Sequence, residues 1–272
     1  KYSPLEQIVL RANGGRGLRR ALPVIDNIGV LSTGKAFTGA YSDHLLEDAW
    51  TFGGNATFYL PFGASDDTYL GFDYFGTRFA EQMVVDYEHG LNAIDFYTLG
   101  GKRSYSNNYQ VDFNVEAFRR FTVSATFRYT DAKVELEGRG LVERPMTSRY
   151  KGVLNLQYAT NLNKWIFDFT ASVNGKSRVY EFMKGLRGDD GELLYKDGYT
   201  PVYPLLYLQV TKRFKGVDLY LGAENLTNFR QKNLVIGTAI EGMSGHVDAS
   251  RPDFDASAVW GPIMGTKFYL GA

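Results

Sequence analysis

The sequence predicts an all-β chain, a stretch of antiparallel sheet long enough in its strands to stand in a membrane. Three observations carry this reading. About ten segments alternate apolar and polar residues, the joins between them alternate short and long, and several segments run to ten residues or more. Successive side chains of a strand point to opposite faces, so alternation makes one greasy surface and one wet one. Soluble strands peak near ~5–6 residues, whereas crossing a bilayer at a tilt takes roughly 9–11.

Taken in order, the segments expected as strands are 5–13, 48–60, 69–85, 106–117, 122–134, 150–159, 165–178, 205–213, 217–226 and 257–272. The hairpin in the middle is the clearest. Tyr109, Val111, Phe113 and Val115 share one face and Gln110, Asp112, Asn114 and Glu116 the other. After the turn 118–121, Val123, Ala125, Phe127 and Tyr129 oppose Ser124, Thr126, Arg128 and Thr130. Further along, Trp165, Phe167, Phe169, Ala171 and Val173 alternate with Asp168, Thr170, Ser172 and Asn174. The short joins are 61–68, 118–121, 160–164 and 214–216; the long ones are 14–47, 86–105, 135–149, 179–204 and 227–256. Short turns at one end and long loops at the other are what a barrel inserted in an outer membrane has. Phe58, Phe121, Tyr158, Trp165 and Phe214 lie beside the short turns, where aromatic rings settle between lipid and water. A soluble sheet with its apolar face on a core alternates in the same way. Strand length, loop asymmetry and the aromatic level are what favour the membrane.

Composition bounds the function. With 30 Lys+Arg against 30 Asp+Glu among 272 residues, no overall field draws nucleic acid or an acidic partner. The chain has no cysteine, which excludes disulfides and thiolate metal sites. No run approaches the ~20 continuous apolar residues of a membrane helix. The opening Lys1-Tyr2-Ser3-Pro4 has no apolar signal-like run, so an export signal is expected upstream. No Ser/His/Asp or Cys/His arrangement is present, and no enzyme is expected. Asp189-Asp190-Gly191-Glu192, with Asp197 nearby, offers oxygen ligands without the spacing of a calcium loop, which reads as a polar turn. Gly14-Gly15-Arg16-Gly17 ends a strand and is followed by no Lys-Ser/Thr, so it is no phosphate cradle.

Several passages resemble the C-terminal half of the barrel of TonB-dependent outer-membrane receptors of the siderophore and cobalamin type. They are Arg11-Ala-Asn-Gly-Gly-Arg-Gly-Leu-Arg19, Leu46-Glu-Asp-Ala-Trp-Thr-Phe-Gly53 and 164–178, then the run Glu224-Asn225-Leu226-Thr227-Asn228 and the ending 255–272. The resemblance implies that residues 1–272 form about the last ten strands of a 22-stranded barrel, with the plug domain and the earlier strands absent from this chain. It implies energy-coupled uptake of a scarce nutrient such as a ferric siderophore, haem or cobalamin. The receptor would lie in the outer membrane of a Gram-negative bacterium. The expected partners are the TonB complex acting through the missing plug, lipid and lipopolysaccharide, the barrel assembly machinery and a surface lipoprotein. No cofactor is expected, though the cargo would contain iron, haem or cobalt. Phe268-Tyr269-Leu270-Gly271-Ala272 would carry the assembly signal. The alternatives are a self-contained small barrel acting as a pore or adhesin, and a soluble β-sandwich binding module.

Within that reading, the candidate ligand contacts are Arg16, Arg19, Arg20, Tyr41, His44, His89, Tyr180 and His246. The three arginines would stand at the mouth and attract an anionic ferric chelate, or else meet the plug or lipopolysaccharide phosphates. Tyr41 and Tyr180, like Tyr199 and Tyr203, offer stacking surfaces for a planar ligand or pack the loops. The histidines, with Met243 close to His246, would touch a metal or haem cargo or simply lie solvated in three loops. No resident metal site is expected. Asp112, Glu116, Arg128, Asp168 and Glu224 would face the lumen.

Overall fold

The computed structural model describes residues 1–32, 35–42, 45–88, 93–188, 191–232 and 256–272. In chain order its strands are β1 (Tyr2–Leu5), β2 (Ile8–Arg20), β3 (Ala36–Gly39), β4 (Leu46–Tyr59), β5 (Tyr69–Glu81), β6 (Met83–Asp86), β7 (Ala93–Thr98), β8 (Ser104–Phe118), β9 (Phe121–Leu136), β10 (Gly140–Glu143), β11 (Tyr150–Ala159), β12 (Trp165–Asn174), β13 (Tyr203–Arg213), β14 (Asp218–Glu224) and β15 (Lys267–Gly271).

The main sheet takes the order β1-β2-β4-β5-β8-β9-β11-β12-β13-β14-β15, with β10 folded back on β9. It is an antiparallel meander. Among the described residues β1 and β15 do not pair with each other, so the sheet is a stretch of wall rather than a closed barrel.

The register sorts the side chains. Leu70 stands opposite Phe113, which continues across neighbouring strands to Ala125, Leu154, Ala171 and Leu206. One residue along, Asn114, Ser124, Asn155, Thr170 and Tyr207 form the matching polar row. Directly paired residues share a face, so the expected apolar and polar sides hold strand after strand. The polar side is laced by hydrogen bonds. Thr126 donates to Asp112 at 2.6 Å, Gln157 to Asp168 at 2.7 Å, Ser124 to Asn114 at 2.7 Å and Arg11 to Asn55 at 2.9 Å. Among the described residues no second sheet packs on the apolar side: Phe127 is 49% and Leu221 60% exposed. A β-sandwich would bury both, so that alternative does not describe this chain.

Two aromatic levels bound the apolar side. Beside the short turns, Phe118 stacks on Phe121 at 4.7 Å, and Lys212 lies 4.3 Å above Trp165. Towards the long loops, Tyr74, Tyr109, Tyr129 and Tyr150 form a row across β5, β8, β9 and β11. From Tyr158 to Tyr150 the chain rises about 26 Å at ~3.3 Å per residue, or about 20 Å once tilted by ~40°. That is close to the ~25 Å apolar band of a membrane barrel.

The buried core lies at the long-loop end. A small sheet ordered β3-β7-β6 buries Ile94 and Phe96 against Ala21, Val30 and Met83. A second cluster gathers Val179, Tyr180, Met183, Leu186, Tyr195 and Ala258. The long loops are therefore packed structure in their own right.

Several boundaries differ from expectation, among them that of β12, which ends at Asn174 where the sequence predicted 178. The first strand was expected over 5–13, whereas β2 continues to Arg20 and a separate β1 precedes it. The glycines do not break β2 because backbone pairing with β4 continues through them, and Arg16 and Arg19 find Asp48 and Glu47 across the ladder. The segment 69–85 is interrupted at Gln82, after which β6 joins the small sheet. The last strand is only β15, because Pro262 has no N–H to give a ladder and Gly261 and Gly265 flank it. Residues 259–266 instead pack around Trp260, which meets Tyr203 and Phe229.

Candidate functional site

At the loop end of the polar side lies a cavity of about 550 Å³. Its floor comes from β8 and β9, where Ser106, Thr130 and Ala132 present small side chains. Glu47 at the start of β4 forms one wall, and Tyr87, Glu88 and Tyr180 close over the other side. Two polar links hold the rim. Glu47 accepts the Met83 N–H at 3.1 Å, and Ser104 donates to Gln82 at 2.7 Å.

A buried ion cluster fixes the roof. The side chains of Asp86 and Glu88 are 1% exposed, and Arg139 binds both. Arg178 grips Glu88 through two nitrogens, at 3.0 and 2.7 Å, and donates from Nε to the Glu143 carbonyl at 2.7 Å. Glu88 also accepts the Glu181 N–H at 2.9 Å. Three loops are thereby joined: the one after β6, the hairpin of β9 and β10, and the one after β12. Beside them Arg149 donates to Glu143 and to the Tyr199 hydroxyl, and Tyr199 donates to Glu143 at 3.0 Å. Burial alone pushes the Glu143 carboxyl up. The hydrogen bonds from Arg149 and Tyr199 outweigh it and leave the group below the usual carboxylate range.

The sequence candidates separate here. Arg16 and Arg20 lie in β2 on its apolar side, and Arg16 is bound to Asp48 at 2.6 Å. Arg19 reaches the cavity already paired with Glu47 at 2.6 Å and Asp26 at 3.1 Å. Tyr41 packs on Phe37 and Phe96 in the small sheet's cluster, away from the cavity lining. Tyr180 lines the cavity while stacking on Phe182 and packing on Tyr87. Tyr199 is loop packing that serves the Glu143 cluster, and Tyr203, the first residue of β13, stacks on Phe229. His44, His89, His246, Met243, Asp189 and Asp190 lie outside the described residues.

Among the cations that remain unpaired, sequence reading named Arg128 only as a lumen position and missed Arg144 and Lys151. Arg144 is exposed, lines the cavity and has no ion pair among the described residues. Below the floor on the polar side, Arg128 of β9 stands opposite Lys151 of β11, both exposed and both without a carboxylate partner among the described residues. Only the tertiary pairing reveals which positive charges are left over, because neutralisation depends on the strand alongside.

No protein-family model matches the sequence, and no curated protein matches it significantly. Solved structures do. A variant of the ferric enterobactin receptor of Pseudomonas aeruginosa, in complex with enterobactin, superposes with a TM-score of 0.61 at 15% identity, over 98% of this chain and 38% of that one. The chain shares its barrel-wall fold. The ferric-catecholate import receptor of Escherichia coli K12 matches with a TM-score of 0.54 at 16% identity, over 84% of this chain and 30% of that one. For the FrpB iron transporter of Neisseria meningitidis the figures are 0.55, 10%, 84% and 34%. The chain thus spans about a third of the length of the proteins whose fold it shares.

Proposed function

We propose that this chain is the C-terminal part of the barrel of a TonB-dependent receptor in the outer membrane of a Gram-negative bacterium, and that the receptor takes up an anionic iron chelate. One observation carries the reading: a roofed cavity at the loop end opens above a polar face on which Arg144, Arg128 and Lys151 have no carboxylate partner among the described residues. Unpaired guanidinium and ammonium groups in a recess and on the face below it raise the local concentration of anions and bind carboxylates or catecholates by charge-assisted hydrogen bonds. The named ligands of the structural neighbours, ferric enterobactin and ferric catecholates, support the same class.

The mechanism is binding and gating. Packed loops would capture the chelate, the cation series would receive it on the lumen side, and a plug domain outside this chain would be moved by TonB to open the path. No bond of the cargo is made or broken. The apolar side would face lipid and the polar side the lumen and plug.

The test is uptake by the full-length receptor in an iron-starved strain lacking other receptors. Growth on an anionic ferric siderophore, reduced in an Arg128→Gln/Lys151→Gln/Arg144→Gln variant that still reaches the outer membrane, supports the reading. Growth on haem or cobalamin alone, indifferent to those substitutions, overturns it.

A further inference from the structure

On the apolar side, four residues beyond the tyrosine row towards the long loops, the register brings five residues into line across five strands. Arg16 stands opposite Trp50, Trp50 opposite Arg78, Arg78 opposite Tyr105 and Tyr105 opposite Lys133. Cations and aromatic rings alternate, and with strands ~4.8 Å apart neighbouring cations stand roughly 10 Å from one another. The outer two cations are neutralised: Arg16 by Asp48 at 2.6 Å, Lys133 by Asp131 at 3.7 Å. Arg78 is not. Its guanidinium lies 5.6 Å from the Phe52 ring centre and 4.9 Å from that of Tyr105. Nη1 donates to Asn107 Oδ1 and to the Thr77 carbonyl, at 3.0 and 3.1 Å. Asn107 is itself buried and receives the Tyr74 hydroxyl at 3.0 Å. The group is exposed yet held in place, and Nε and Nη2 have no partner among the described residues.

A fixed, unneutralised guanidinium on the lipid side of a barrel costs free energy unless it reaches the headgroup layer and meets an anion there. Just below the tyrosine row the wall supplies an apolar trough of about 450 Å³, lined by Val111, Phe127, Gly152, Leu154, Ala171 and Leu206. The trough runs over β8 to β13, wider than one hydrocarbon chain. We propose that Arg78 is the centre of a lipid-phosphate site, and that its occupant is a multiply acylated, phosphorylated glycolipid of the outer leaflet. The phosphate binds Nε and Nη2, the sugar lies against Trp50 and Tyr105, and the acyl chains fill the trough. The site rests on the outer-membrane reading above.

The experiment uses full-length receptor extracted from membranes, with native mass spectrometry counting bound lipid after exposure to bisphosphorylated lipid A, dephosphorylated lipid A or phosphatidylglycerol. The wild type retains bisphosphorylated lipid A. Arg78→Gln lowers its affinity about tenfold, equivalent to ~1.4 kcal/mol, Arg78→Lys keeps most of it, and removing the phosphates from the lipid has the same effect as Arg78→Gln. Equal retention by wild type and Arg78→Gln, or equal retention of the dephosphorylated lipid by the wild type, overturns the site. Displacement by phosphatidylglycerol at equal concentration overturns the choice of lipid. Should Arg78→Gln fail to fold, the lipid comparison on wild type decides alone. A receptor recovered in the soluble fraction would instead sink the membrane reading, a result distinct from membrane-extracted protein that ignores phosphate.

Discussion

Glu88 and Arg178, 90 residues apart in the chain, meet as a two-pronged ion pair at 3.0 and 2.7 Å. Glu88 is almost wholly buried and Arg178 is 10% exposed, so neither charge has water as a substitute partner. Removing one member of such a pair costs roughly 3–5 kcal/mol because the other is stranded, whereas replacing both by apolar groups can be nearly neutral. Glu88→Ala is therefore expected to open the loop cluster while leaving the strands paired. Hydrogen exchange measures this: protection should fall over 175–186 and 137–149 and hold over β9 and β11. Glu88→Met with Arg178→Met should recover much of it.

The Glu143 cluster gives the loops a pH dependence of known sign. Hydrogen bonds from Arg149 and Tyr199 hold the folded carboxyl below its ordinary value, against the burial that raises it. A group lowered in the folded state contributes stability that is fully present above the unfolded pKa, about 4.3 for Glu. That contribution is lost as pH falls through the lower folded value. Proteolysis within 137–149 should accelerate below about pH 4, and Glu143→Gln should remove that dependence while loosening the hairpin at neutral pH.

The apolar and polar sides should respond oppositely to charge. Leu154 lies midway between the Tyr150 and Tyr158 levels on the apolar side, and Arg at the bilayer midplane costs ~2–4 kcal/mol. Leu154→Arg should cut the amount of receptor folded in the membrane, read by heat-modifiable mobility on gels. Lys151→Gln, on the polar side beside Arg128, should leave assembly unchanged and weaken chelate binding.

These faces were legible in the sequence because a strand's period of two needs no tertiary knowledge. Leu154, Ala171 and Phe169 fall on the side that alternation assigns to them. Ends of strands were harder. Alternation says nothing of where pairing stops, so β2 ran on through its glycines to Arg20 and β15 shrank to 267–271. The site was least legible. Arg16 and Arg19 attract notice as loop arginines, yet Asp48 and Glu47 neutralise them from across the ladder, while Arg144, Arg128 and Lys151 stay unpaired for want of such a neighbour. The loops' packing on Phe96 and Met183 follows from contacts far apart in sequence, which no local pattern encodes.

The terminal hairpin contains a reciprocal fit of glycine and tyrosine. Tyr220 stands opposite Gly271 and Gly222 opposite Tyr269, so each ring lies over a residue with no side chain. A Cβ on Gly222 would meet the Tyr269 ring at 2.3 Å, and one on Gly271 would meet Tyr220 atoms at 2.2 Å. Neither distance is tolerable, and the glycines let the rings cover the ladder where β15 joins β14. Tyr269 is further held by donating its hydroxyl to Gln209 on β13, at 2.9 Å, which ties three strands together. Gly222→Val should lift the ring, break that hydrogen bond and cost about 1–3 kcal/mol by overpacking. Because the strain falls on the strand expected to carry the assembly signal, the visible effect should be slower appearance of folded receptor in a pulse-chase assay. Tyr269→Phe, which removes only the hydroxyl, should cost about 1 kcal/mol and slow assembly less. If Gly222→Val assembled at the wild-type rate, the close fit of ring over glycine would not be what holds β15 in register.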